Sequence, residues 1–361
     1  MGGSTRLGRW AGMAFAGIVT AAVAGCTSVG PQTVLRDRFD YNTTVADSWK
    51  EQTLLNIVKL RYMDLPMFLD IGQIVAGYTV ESSGSLAGTL SRGSVPHETL
   101  SSIGGTLRYT DRPTITYSPL TGDRFLRGLM TPIRPGSVFA LLQSGYEADF
   151  VLALSLESLS GLQNPVSTQG GQINTGSHDF TRALELLRDI QRAGAFSFRM
   201  ETGSHGEEML VFFRQHVMLA QTSAQIAELH SLLGMEATDG RYSLVYSPVP
   251  GKKGELAVHT RSMLQILLAL AGTVEVPQQD LDEHRASVVP REDSEQMPFR
   301  VRSGTDRPQD AYAAVSYRNR WFWIDDTDYR SKRAFSLIMF LFTLSEEGDN
   351  RRLPVLTIPT G

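Results

Sequence analysis

Cysteine is almost missing from this chain: its 361 residues include one, Cys26. A single thiol excludes an intramolecular disulfide and any zinc site built from thiolates. With Cys26 reserved for the role argued below, no thiol nucleophile remains. The seven histidines, at 97, 178, 205, 216, 230, 259 and 284, never fall two to four residues apart, so no zinc-type helix motif exists. There is no G-x-S-x-G nucleophile elbow. Gly251-Lys252-Lys253-Gly254 lacks the spacing and the following Ser or Thr of a phosphate-binding loop, and reads as a turn. No apolar run reaches the ~20 residues that a membrane helix needs. Nor is there a polybasic block, and the formal net charge is −4, which argues against nucleic acid as a partner.

The apolar fraction, 42%, is enough for a sizeable core. The N-terminus has a pattern of its own. Arg6 and Arg9 are followed by an uncharged stretch from Trp10 to Ala24, and Val23-Ala24-Gly25-Cys26 ends it. A positive start, an apolar middle and a small-residue end form a secretory signal. Small residues before a cysteine at this place resemble the lipobox of bacterial lipoproteins. The resemblance implies cleavage between Gly25 and Cys26 and covalent lipid on Cys26, with no other cofactor. Thr27, rather than Asp, resembles the outer-membrane sorting pattern, which implies a Gram-negative outer membrane and a periplasm-facing chain. Two acyl chains already hold a protein stably on a membrane, at ~0.8 kcal/mol per buried methylene. Loss of residues 1–25 removes two of the 34 Lys+Arg and none of the 38 Asp+Glu, leaving a net charge of −6.

The order of patterns predicts an α+β fold with mixed helices, mostly antiparallel sheets and a Ser/Gly-rich β-meander in the first half. The expected divisions are a signal peptide over 1–25, a lipid anchor and tether over 26–43 and an α+β domain over 44–159. A Gly/Ser/Asn linker or long loop over 160–177 and a second α+β domain over 178–361 follow. A helix capped near Asn42 to Thr44 runs to Tyr62 with Leu54, Leu55, Val58 and Tyr62 on one face. Residues 150–159 read as helix. Residues 242–246 and 255–259 read as a hairpin, 277–298 as an exposed acidic excursion and 354–358 as a final strand. The apolar helix over 329–345 is too short to span a membrane and is expected in the core.

Residues 71–118 contain alternating stretches, interrupted at Ser82-Ser83-Gly84-Ser85 and by a turn near Gly93 to His97. Ile74, Ala76, Tyr78 and Val80 interleave with Val75, Gly77, Thr79 and Glu81; Ile103, Leu107 and Tyr109 interleave with Ser102, Gly104, Thr106 and Arg108. Either a sheet rests one face on a helix, or a membrane hairpin is present. Spanning strands need ~9–11 residues, which 74–83 and 100–109 supply. The would-be lipid face also holds Ser101 and Gly105.

Two further clusters invite chemistry. Asp325, Asp326 and Asp328 could bind a hard cation or could cap the helix that follows. Trp321 and Trp323 share a strand face and could stack on sugar rings or pack inside. No catalytic set and no metal centre emerges. We read the chain as a non-enzymatic, lipid-anchored structural or assembly component of an envelope or export complex, with envelope proteins as partners. The alternative is a homo-oligomeric outer-membrane pore using 71–118 as its hairpin. A third class is an envelope glycan-binding module or hydrolase.

Overall fold

The computed structural model describes residues 29–75, 78–88, 101–111, 114–121, 123–165, 178–203, 206–213, 220–236, 240–286 and 299–345. Gly25, Cys26, the signal segment and the strand expected over 354–358 lie outside these. Two compact units divide the chain, residues 1–51 and 52–361. In the first, the described part is helical. Helix α1 (Val29–Arg61) starts well before the expected cap. Thr43 and Thr44 are helix-interior residues: their hydroxyls donate to the carbonyls of Phe39 (2.9 Å) and Asp40 (2.8 Å), four residues back. Such back-bonding satisfies a hydroxyl without ending a helix. The expected tether over 26–43 is therefore helical from Val29 on.

In the second unit α1 ends with Leu54, Ile57 and Val58 fully buried, as the helical spacing requires. Then come β1 (Phe68–Val75), β2 (Tyr78–Gly88), β3 (Ser101–Asp111) and β4 (Thr114–Leu120). They are followed by α2 (Asp123–Met130), α3 (Pro135–Gln143), α4 (Ala148–Ser155), β5 (Leu156–Leu159) and β6 (Leu162–Gln163). Next are α5 (His178–Arg192), β7 (Phe196–Gly203), β8 (Gly206–Phe213) and α6 (Ala220–Leu232). The chain continues with β9 (Arg241–Tyr246), β10 (Glu255–Thr260), α7 (Met263–Ala271) and α8 (Gln278–Asp282). It closes with β11 (Arg302–Gly304), β12 (Ala311–Tyr317), β13 (Arg320–Asp325) and α9 (Tyr329–Ser345). The fold is α+β with mostly antiparallel sheets.

The main sheet has six strands in the order β6-β5-β10-β9-β8-β7; a smaller one runs β11-β13-β12. The main sheet joins the two segments expected as separate domains, because Val258 of β10 pairs with Leu159 of β5. The start of the expected linker is itself built into this sheet. Ser160 (φ 46°) and Gly161 (φ 87°) make a two-residue turn between β5 and β6, the left-handed pair that such a tight hairpin requires. The buried Asn164 side chain then donates to the carbonyls of Ala153 and Leu156, both at 2.8 Å. Residues 166–177 lie outside the described set.

Two expectations need correction. The expected helix over 150–159 stops at Ser155, because the chain there enters the sheet as β5. The expected hairpin over 242–246 and 255–259 is a parallel pair: Glu255 lies across from Ser243 and Val258 from Tyr246. The connection, with Pro248 and Pro250, carries the chain back along β9 instead of reversing it in place. The turn at Gly254 (φ 81°) starts β10, with Glu255 N–H donating to the Lys252 carbonyl.

The core forms one hydrophobic cluster that takes residues from α1 through α9. Ala334, Phe335, Leu337, Ile338 and Leu341 of α9 are fully buried, so one side of the helix lies in the core, while Phe340 is 54% exposed.

Candidate functional site

The first four strands stand apart from both sheets. β1 pairs with β4, and β2 with β3, each as a separate antiparallel pair. The expected meander is thus antiparallel and nested rather than paired in sequence order. Its two ladders share one register. Val75 pairs with Thr114 and Tyr78 with Asp111, so both ladders have the same offset in numbering. The ladder ends at Gly88 opposite Ser101; residues 89–100 are outside the described set. β2 and β3 have 11 residues each. At about 3.4 Å per residue, that makes each about 37 Å long, or about 28 Å of depth at a tilt of about 40°.

The register decides what shares a face, since paired positions alternate with period two. One set of rungs places Tyr78 opposite Asp111, Val80 opposite Tyr109, Ser82 opposite Leu107 and Leu86 opposite Ile103. The other set places Thr79 opposite Thr110, Glu81 opposite Arg108, Ser83 opposite Thr106 and Ala87 opposite Ser102. Every large apolar residue of β2 and β3 falls in the first set and both members of the Glu/Arg rung in the second. The Ser83 and Thr106 hydroxyls hydrogen-bond at 2.6 Å.

The base of the ribbon repeats the division. Leu69, Ile115 and Tyr117 share a face and are 43%, 39% and 55% exposed. The other face carries half-buried Asp70 and exposed Thr114, Thr116 and Ser118, with Val75 at the position across from Thr114. A β-bulge between Ile71 and Gln73 absorbs one residue and keeps the faces in phase.

The base is fixed to the body by two means. Phe68 is buried against Phe342 (ring centroids 5.0 Å) and Phe125 (5.8 Å). On the edge of β1, two side-chain amides of α1 take the place of a neighbouring strand. Asn56 donates to the Met67 carbonyl (2.8 Å) and accepts from its N–H (2.9 Å). Gln52, one helical turn earlier, does the same for Leu69, donating at 3.0 Å and accepting from the Leu69 N–H. Asn56 is fully buried, so its replacement by alanine leaves two strand groups without partners. The expected cost is about 1–3 kcal/mol. Hydrogen exchange should then speed up at the amides of Met67 and Leu69, and unchanged protection there would contradict this anchoring role.

Sequence reasoning missed Gln52 and Asn56. The available signal was a polar pair at i and i+4 beside a buried stripe. It also missed a bond from the Tyr62 hydroxyl to Asp280 (2.7 Å) at the end of α1. Burial first, and then this bond, push the Tyr62 phenol well above its usual range. The Arg318 guanidinium stacks over the same ring at 4.8 Å.

The acidic cluster is dispersed among separate donors. Asp325 accepts from the Thr327 N–H (2.9 Å) and hydroxyl (2.6 Å), and these bonds hold its carboxyl below the usual range. Asp328 accepts from the Ser331 N–H (3.1 Å) and hydroxyl (2.6 Å) at the start of α9. Asp326 pairs with Lys332 at 2.7 Å. Capping and ion pairing account for all three. Trp323 packs on Gly304 so closely that a Cβ there would meet its ring at 3.2 Å. Trp321 is half-buried, with Arg307 over its ring at 5.3 Å. The two rings thus do not form a free aromatic platform.

A cleft of about 780 Å³ lies beside α9, lined among others by Tyr146, Glu147, Tyr312, Tyr329, Lys332 and Arg333. Its charges are internally paired: Arg333 binds Glu147 at 2.8 Å, Arg192 binds the same carboxylate, and Lys332 binds Asp326. Bonds from Arg333 and then Arg192 hold the Glu147 carboxyl below its ordinary range. Glu147 is the one carboxylate among the described residues that line the cleft.

Among the described residues no group of three or more His, Cys, Asp or Glu side chains is placed to hold a metal. None of their helices is long and apolar enough to cross a membrane. Comparison with known protein families, with curated proteins and with solved structures finds no match.

Proposed function

We propose that the chain is one subunit of a ring-shaped outer-membrane pore, anchored by lipid on Cys26 and facing the periplasm. Each copy contributes its 68–120 ribbon as two strands of a shared barrel. The observation that carries this reading is the two-faced ladder of β2 and β3, which has no third strand beside it among the described residues. A lone two-stranded ribbon is marginal in water. Its outer edges expose unpaired backbone groups, which lipid does not tolerate unless the sheet closes on itself. Eleven-residue strands with apolar residues on one set of rungs and polar residues on the other are what a barrel wall requires. Barrels need roughly 16 strands before they enclose an aqueous channel, so roughly eight copies are implied.

The structural or assembly role drawn first from the sequence asks for no such ribbon. Envelope partners are compatible with the pore and attach to its body. The anchor has its own test. Palmitate labelling of the full chain is expected and should vanish in Cys26→Ala; labelling that persists would remove Cys26 from the account. The pore itself is tested in a planar bilayer. The purified lipidated chain should give discrete conductance steps, and a chain that binds the bilayer without ever conducting would refute the pore.

A further inference from the structure

We infer that Arg108 faces the lumen of this pore and is a residue that sets its ion selectivity; the inference rests on the pore reading. The register leaves few candidates for such a role. Arg108 is exposed and belongs to the polar set of rungs, paired with Glu81. The neighbouring rung is the hydroxyl pair Ser83 and Thr106. The polar face of the β1–β4 pair carries the exposed Thr114, Thr116 and Ser118. In a closed barrel the apolar set meets lipid and the polar set lines water. An arginine on the lipid face near mid-depth would cost about 2–4 kcal/mol, so the alternation and the energy agree on the lumen.

Between Asp70 and Thr110 the described side chains on this face carry hydroxyls and one cation, Arg108. A ring of identical subunits turns that single residue into a ring of guanidinium groups. Rings of fixed charge bias which ions enter. Glu81 stands across from Arg108 in the ladder.

The test uses the full lipidated chain in a planar bilayer under a potassium chloride gradient. With Cys26 occupied by lipid, Arg108→Cys carries the sole free thiol. The expected result is a rise of at least about twofold in the permeability ratio of potassium over chloride. A cationic, water-soluble methanethiosulfonate reagent should restore the native ratio, and an anionic one should raise it further. Arg108→Lys should keep the native ratio. A thiol at Ile115, on the other face, should leave selectivity unchanged with either reagent. Conducting pores whose ratio responds neither to Arg108→Cys nor to the reagents would overturn this inference and leave the pore standing. Absence of any conductance would overturn both.

Discussion

A chain in which residues 76–113 are replaced by Asn-Gly folds normally and no longer forms rings. Val75 and Thr114 are direct partners, so a two-residue turn can close the ribbon there. β2 and β3 make their extensive contacts with each other, so the body loses little. Its thermal midpoint should stay within roughly 3 °C of the parent chain, an allowance of about 1 kcal/mol. Conductance and the detergent-resistant assembly should both disappear. Rings that persist in the shortened chain would move the subunit interface into the body.

Loss of the Arg261–Glu157 pair is expected to have the largest effect on stability. Arg261 is fully buried and Glu157 is 16% exposed, with Nε to Oε2 at 2.7 Å. The Arg261 backbone joins two further segments: its N–H donates to the Ser155 carbonyl (2.7 Å), and its carbonyl accepts from Ile133 (3.0 Å). Burial lowers the guanidinium's affinity for its proton, while Glu157 opposes that shift. Removing one partner leaves a buried charge poorly compensated, at about 3–5 kcal/mol. Glu157→Ala and Arg261→Ala should each show a loss of that size in denaturant melts. The double variant Arg261→Met/Glu157→Leu should recover much of it, because apolar pairs of similar volume often replace buried ion pairs well. Because the pair ties β5 to the junction of β10 and α7, each single variant should lower one common transition for both halves. Separate melting of 44–159 and 178–361 would instead support the two-domain division.

The alternation over 71–118 was legible because period two leaves its mark on sequence whatever the strand pairs with. Which rungs oppose which was not, since a one-residue slip would exchange every face. The residues that join β2 to β3, 89–100, lie outside the described set. Ser101 and Gly105 weakened the membrane reading when β3 was taken alone. In the register they stand opposite Gly88 and Gly84, while Leu86 meets Ile103. On the same set of rungs Ser82 stands opposite Leu107.

The parallel pairing of β9 and β10 was hidden for a different reason. Parallel neighbours usually need a dozen or more connecting residues, and a short Pro/Gly segment argues for a hairpin. Asn56 was hidden because its partner, the backbone of Met67, comes from the next element and has no side-chain signature. The acidic run before α9 was readable in both directions, and local hydrogen bonds decided for capping. The proposed anchor at Cys26 and the cleavage expected after Gly25 rest on sequence alone.

Native mass measurement of the full lipidated chain in detergent tests the ring most directly. The expected result is one closed assembly of roughly eight or more copies, the number at which two strands per copy enclose water. A monomer or dimer as the only lipidated species would contradict the pore and favour the structural or assembly role.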